Sequence, residues 1–172
     1  NLLSVAYKQV VAARRIARRA IAMTEQEMPE SAHAISQYRG KVEAEIDALC
    51  DEIIGLLDSH LIGQASTDDN KVFYMKMKGD YYRYRAEFKR DVSQAGSASQ
   101  ANRAYRAALE QAQVLPPANS GRLGLALNYS VFFNEVLGNA SEAIALARKT
   151  IDEASADLAN HDEAMQNDSI QI

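Results

Sequence analysis

Helical periodicity runs through almost all of this 172-residue chain. Apolar residues recur every three or four positions, and no segment alternates apolar and polar residues in the manner of a β-strand. The breaks between segments are short clusters rich in Pro, Gly, Ser and Asn, which favour turns. The sequence therefore predicts an all-α protein, an antiparallel array of about six helices with short connections.

The ends of the predicted helices follow from local breaking and capping signals. Ser31 is a plausible N-cap of the second helix, and QAGSAS (94–99) is expected to end the third. Gly138 stops the fifth helix, and Ser141 is expected to begin the sixth. Residues after Asp162 are expected to form a loop that leads into the first turn of a further element. The predicted helices span residues 1–24, 31–62, 71–93, 100–114, 122–137 and 141–158.

Two of these helices have visible apolar faces, which are expected to pack on neighbouring helices. In the first helix the apolar stripe comprises Leu2, Leu3, Val5, Ala6, Val10 and Ala13. In the second helix it comprises Val42, Ile46, Leu49, Ile53, Leu56 and Leu57.

Composition narrows the class of protein. The chain is 47% hydrophobic and 24% charged, as in an ordinary globular domain. Its single cysteine excludes an internal disulfide framework and suits a reducing compartment. No apolar run approaches the ~20 residues that span a bilayer, and a net charge of -4 argues against a nucleic-acid surface. We expect no membrane insertion, no nucleic-acid partner, and a location in the cytoplasm or also the nucleus.

The chain begins with Asn1 instead of Met, and its first residue already belongs to a helical pattern. We expect residues 1–172 to be a single helical domain that is incomplete at both ends.

Three helices each carry a polar pair seven residues apart, a spacing that returns to nearly the same helix face. If these faces converge, they form a groove with cations on one wall. Arg matches phosphate oxygens bidentately, and Asn can bond the backbone of an extended peptide. A Lys/Arg pair taken alone is more often a solvated helix face, and an Asn inside an apolar helix is more often a satisfied buried amide. Spacing does not establish convergence. The pairs are Lys8 and Arg15, Lys76 and Arg83, and Asn128 and Glu135.

Longer motifs carry a family resemblance that spans essentially the whole chain. They are NLLSVAYK with VVAARR, then KVFYMKMKGDYYRY, then RLGLALNYSVFFNE. Together they resemble the 14-3-3 family. The resemblance implies an antiparallel helical cup whose amphipathic groove binds phosphoserine and phosphothreonine segments of client proteins. It also implies a homo- or heterodimer in the full-length protein, and no cofactor.

Matching motif to motif gives each candidate residue a role that the resemblance implies. Two short helices that normally precede NLLSVAYK, and a last helix that closes the groove, are not part of this sequence. The phosphate cluster falls on Lys8, Arg15, Arg83 and Tyr84, with Lys76 nearby. Asn128 and Glu135 match positions that hold the ligand backbone, and Gly124, Leu127 and Val131 match the apolar wall. Tyr38, Lys41 and Glu45 match dimer contacts.

The leading hypothesis is a non-enzymatic phosphopeptide-binding adaptor that acts in signalling. The alternative is a structural scaffold of the same fold that binds acidic, unphosphorylated segments. His33, His60 and His161 share no metal-ligand spacing, and Cys50 lies among apolar residues as a buried thiol would. We therefore expect neither a metal site nor a catalytic residue.

Overall fold

The computed structural model describes residues 2–89 and 91–170, of which 91–93 and 161–170 are described by their backbone only. These residues form helices without any strand, as predicted. A 3₁₀ turn (Pro29–Ser31) precedes α2, a π-helical turn (Leu57–Leu61) extends it, and a second 3₁₀ turn (Ala112–Val114) follows α4. The helices are α1 (Leu2–Glu27), α2 (Ala32–Leu56), α3 (Asp68–Ala86), α4 (Asp91–Gln111), α5 (Ser120–Glu135) and α6 (Ala140–Ile170).

Helix α3 lies between two hydrophobic cores. Met77 and Tyr81 belong to a core shared with α1 and α2, whereas Val72 and Ala86 belong to a core shared with α4 and α5. Each helix packs on the next along the chain, and α3 also packs on α5. A helix that is buried on two sides cannot show a single apolar stripe. This explains why aromatic and charged residues alternate so densely in residues 71–88.

The predicted apolar face is buried in the second helix but not in the first. In α2, Ile46 and Ile53 are fully buried, as expected. In α1 the predicted stripe is largely exposed, and Val11 is the buried residue among those described in that helix. The face around Val11 was missed because it also carries Arg18, which pairs with Glu43 of α2.

The boundary between α3 and α4 was predicted wrongly. Helix α3 ends at Ala86 and α4 begins at Asp91, so QAGSAS (94–99) is helical. Its small residues are typical of a turn, but Ser97 and Ala98 are buried. Small side chains allow two helices to approach closely, and this packing outweighs the weak helix propensity of Gly and Ser.

Asparagine side chains begin two of the later helices. The Asn119 side chain accepts hydrogen bonds from the backbone of Gly121 and Arg122 at the start of α5. Asn139, not Ser141, accepts the bond that begins α6, from the backbone N–H of Glu142. Residue Gly138 has φ of 63°, the left-handed conformation expected after a helix end. Helix α6 continues to residue 170, so the predicted loop after residue 162 is wrong. This stretch contains no Gly or Pro that would end the helix.

Candidate functional site

The structure places the polar pairs of α1 and α5 next to α3, which carries the third pair. A first depression, of about 120 Å³, is lined from all three helices, and a second, of about 210 Å³, adjoins α1 and the end of α5. Lys8, Lys76, Tyr84 and Asn128 line the first, together with Ser4, Phe73, Met77, Asp80 and Tyr81. Arg15 and Glu135 line the second, together with Arg18, Arg19, Ile46, Glu87 and Phe88.

Two arginines from different helices meet at the ring of Tyr84. The guanidinium carbon of Arg15 lies 4.0 Å from the ring centre, and that of Arg83 lies 4.8 Å from it. Both positions are suited to cation–π attraction. Arg15 also donates to Glu87 through Nε at 3.0 Å and Nη2 at 2.7 Å, while Arg83 Nη1 donates to the same carboxylate at 3.2 Å. Glu87 thus holds the two cations of α1 and α3 together.

Asp80 is a second carboxylate of the site; unlike Glu87 it is buried, and donors from three helices meet at it. Tyr105 of α4 donates its hydroxyl proton to Oδ1 at 2.6 Å. Asn128 of α5 donates from Nδ2 to both oxygens, at 2.8 and 3.0 Å. On α3 itself, Lys76 Nζ lies 3.1 Å from Oδ2 and Arg83 Nη2 lies 3.5 Å from Oδ1. Because Asp80 is only 7% exposed, these bonds are little screened by solvent.

Arg83, Tyr84 and Tyr105 keep their protons at neutral pH. Burial alone would lower the pKa of Arg83, but the adjacent Tyr105 and Asp80 raise the pKa above its usual value. Burial raises the pKa of Tyr84 and, more strongly, that of Tyr105. Arg83 therefore remains a cation and both tyrosines remain hydrogen-bond donors.

Part of the donor capacity of the site is not used within the described residues. Lys8 is exposed and forms no ion pair there, and the Tyr84 hydroxyl forms no hydrogen bond there. The cations of the site are Lys8, Arg15, Arg18, Arg19, Lys76 and Arg83, and its carboxylates are Asp80, Glu87 and Glu135, so six positive charges face three negative ones. The site keeps a surplus of positive charge beside free donors, which is the chemistry that an anion requires.

Helix α5 supplies a less polar wall. Leu127 is 64% exposed, although it is a large apolar residue. Val131 is half-buried one turn later, and the space beside Gly124 is open, since a Cβ added there would meet no atom within 4 Å. Glu135 is exposed at the end of the helix and faces the depression that Arg15 lines. An exposed apolar strip next to a cationic cluster makes this surface amphipathic.

The three residues matched to dimer contacts lie apart from this cluster, on α2. Tyr38, Lys41 and Glu45 are all exposed, and their spacing places them on one helix face. Glu45 pairs with Arg14 of α1 at 2.8 Å. Their accessibility suits an interface, and the assignment stays a prediction.

Sequence reasoning missed Asp80, Glu87 and Tyr105. The first two had a local signal, since Lys76 and Asp80, and likewise Arg83 and Glu87, are spaced i, i+4 on one helix. Tyr105 had none, because its contact with Asp80 joins two helices that only the tertiary fold brings together.

The other residues weighed from the sequence are accounted for by local contacts. His33 bonds the Gln37 side chain, His60 bonds Ser59, and the His161 side chain lies outside the described residues. No group of three or more potential metal ligands occurs among the side chains described. Burial raises the pKa of the Cys50 thiol to about 12, so this thiol is protonated and unreactive at neutral pH. No helix in the described ranges is both long and apolar enough to cross a bilayer.

Known proteins resemble this chain over its full length. The family model described as 14-3-3 protein matches residues 1–172. The 14-3-3-like protein B of Hordeum vulgare and the 14-3-3-like protein GF14-E of Oryza sativa subsp. japonica are each 46% identical over 178 residues, covering 100% of this chain and 68% of the relative. The 14-3-3 protein 6 of Solanum lycopersicum is 46% identical and is covered over 69% of its length. The motifs, the all-α fold and these matches agree, and the chain belongs to the 14-3-3 family.

Proposed function

We propose that this protein is a phosphoserine- and phosphothreonine-dependent adaptor that binds segments of client proteins on the α1, α3 and α5 surface and regulates them in signalling. Membership in the 14-3-3 family supports a client-binding adaptor role. The single observation that carries the phosphate dependence is the meeting of Arg15 and Arg83 at Tyr84, with the exposed Lys8 in the adjoining depression.

A phosphate group suits this cluster better than a carboxylate does. Arg15 and Arg83 each retain N–H groups beyond those that bond Glu87, and the Tyr84 hydroxyl and Lys8 ammonium approach from other directions. A phosphoserine carries three acceptor oxygens and roughly -1.5 to -2 charges at neutral pH. It can satisfy donors that converge from several directions, whereas a planar carboxylate offers two oxygens and one charge.

The α5 wall would hold the rest of the client segment. Asn128 lies in the same depression as Lys8 and Tyr84, where an amide can bond the peptide backbone without reading side chains. Gly124, Leu127 and Val131 would receive an apolar side chain of the segment, with Glu135 at the far end. Backbone capture and apolar contact together would let one surface accept clients of different sequence.

The proposal is for a binding protein without catalytic activity. We expect it to act in the cytoplasm or nucleus as a homo- or heterodimer in which Tyr38, Lys41 and Glu45 contribute to the interface. Such a dimer would bind two phosphorylated segments at once and so raise the effective concentration of the second.

Fluorescence anisotropy with three forms of one labelled peptide tests the phosphate dependence. The peptides carry phosphoserine, glutamate or serine at the same position in an Arg-rich sequence. We expect micromolar or tighter binding of the phosphoserine form and at least tenfold weaker binding of the other two. Equal binding of the glutamate form would instead support a scaffold that recognises acidic, unphosphorylated segments.

A further inference from the structure

The side-chain amide of Asn128 has a fixed orientation. Its Nδ2 lies 2.8 and 3.0 Å from the two oxygens of Asp80. If the amide were flipped, its carbonyl oxygen would replace Nδ2 and face a carboxylate at hydrogen-bond distance, which is repulsive. Asp80 is itself held by Tyr105 and Lys76, at 2.6 and 3.1 Å, and is 7% exposed, so it cannot easily turn away.

The opposite end of this amide is open. No described residue donates a hydrogen bond to Asn128 Oδ1. Among the described residues, Ser130 Oγ is the one buried side-chain polar atom that lacks a hydrogen-bond partner. Asn128 Oδ1 also lacks a partner there, and it is not buried. Asn128 Oδ1 is therefore accessible, and the residue lines the first depression beside Lys8 and Tyr84.

We propose that Asp80 is a positioning residue for ligand binding: by holding Nδ2 of Asn128, it makes Asn128 present a hydrogen-bond acceptor, so that the site selects a backbone N–H of the bound segment. The inference rests on the proposed function for the identity of its ligand. It assigns to a buried carboxylate a role in selectivity that is exerted through Asn128. A segment with proline at the contacted position lacks the N–H and would bind more weakly.

The test is an amide-to-ester scan of the phosphoserine peptide, in which each backbone N–H in turn is replaced by an ester oxygen. In the wild-type protein, one position is expected to lose about fivefold in affinity, the size of one neutral hydrogen bond. In Asp80→Asn, Asn128 is free to flip, and the loss at that position should shrink to twofold or less. Asn128→Ala should abolish the same position-specific loss.

A merely structural role for Asp80 predicts a different pattern. Asp80→Asn would then weaken the parent peptide and every ester analogue by the same factor, and this outcome would overturn the proposal. An ester scan of the wild type with no sensitive position would also overturn it. Should Asp80→Asn fail to fold, Asp80→Glu keeps the charge but moves the carboxylate, and the same loss of position-specific sensitivity is expected.

A measurement on the free protein separates this inference from the proposed function. By NMR, the side-chain N–H₂ of Asn128 should exchange with solvent at least tenfold more slowly than that of Asn134, an exposed residue of the same helix. The difference should disappear in Asp80→Asn. If the exchange is slow but no phosphopeptide binds, the proposed function fails while the positioning by Asp80 stands. Equal exchange rates in the wild type would contradict the positioning itself.

Discussion

The ring of Tyr105 lies directly against the backbone of Gly79. A Cβ placed on Gly79 would lie 2.7 Å from ring atoms Cδ1 and Cε1, far inside van der Waals contact. The glycine of the KMKGDYY motif is therefore required for close approach of α3 and α4. This approach also places the Tyr105 hydroxyl where it bonds Asp80 and Arg83. Helix packing and the geometry of the candidate site thus depend on the same contact.

Replacing this glycine should destabilise the protein. We expect Gly79→Ala to lower the free energy of unfolding by about 1–3 kcal/mol, because the buried ring must shift to admit a methyl group. Urea unfolding followed by circular dichroism measures the effect. Gly40→Ala is the matched control, since no atom lies within 4 Å of its Cβ position and alanine favours a helix. Equal stabilisation by both substitutions would contradict the close approach.

Charge reversal at Lys8 should weaken phosphopeptide binding without loss of fold. Lys8 is exposed and forms no ion pair among the described residues, so Lys8→Glu should leave the melting temperature unchanged. Affinity should fall at least about tenfold, because an attraction for a phosphate is replaced by repulsion. Lys149→Glu, at a residue of α6 that is 75% exposed, is the control in anisotropy titrations. The site assignment is wrong if the two variants bind alike.

The ion pair between Arg122 and Glu153 should contribute to the joining of α5 and α6. Arg122 Nη2 lies 2.7 Å from the Glu153 carboxylate, and the arginine is 8% exposed. Glu153→Ala leaves this buried cation with a weaker set of partners, so we expect a loss of about 1–2 kcal/mol in unfolding free energy. Lys149→Ala, which removes only the exposed partner of the same carboxylate, should change it by less than about 0.5 kcal/mol. Similar values for both variants would argue against the pair.

Stability should fall in alkaline solution. Burial raises the pKa of Cys50 to about 12 and also raises the pKa values of Tyr84 and Tyr105. Above about pH 8 the unfolded chain releases the thiol proton, and above about pH 9 it also releases the tyrosine protons. The folded protein retains these protons, so the equilibrium shifts toward the unfolded chain. Urea unfolding at pH 7.5, 9 and 10.5 should show a decline that is already present at pH 9 and is larger at pH 10.5. It should be smaller in Cys50→Ala, and a flat profile would contradict the burial of these groups.

The sequence was sufficient for the parts of the fold that depend on local periodicity. The all-α class and the buried face of α2 follow from spacing alone, as Ile46 and Ile53 illustrate. The α3–α4 boundary did not, because small residues such as the buried pair at 97–98 occur both in turns and in tightly packed helices. Only the position of the neighbouring helix decides between the two.

The cations of the candidate site could be predicted from the sequence, but its carboxylates could not. Lys8, Arg15 and Arg83 stand out by spacing and by motif. Asp80 looks like an ordinary member of a surface pair until α4 and α5 bring Tyr105 and Asn128 to it. Contacts between residues far apart in sequence leave no local sequence signal. The hydrogen bonds that arrange the side chains of the site are therefore visible only in the structure.

Binding of a phosphoryl group between Arg15 and Arg83 can be observed through the side-chain Nε–H resonances of these two arginines. The phosphoserine peptide is titrated into ¹⁵N-labelled protein, with its unphosphorylated twin as the control. We expect the signals of Arg15 and Arg83 to shift with the phosphorylated peptide alone, while the signal of Arg122, which bonds the Leu115 carbonyl away from the site, stays in place. If the phosphopeptide binds and the signals of Arg15 and Arg83 do not shift, these two arginines do not hold the phosphoryl group.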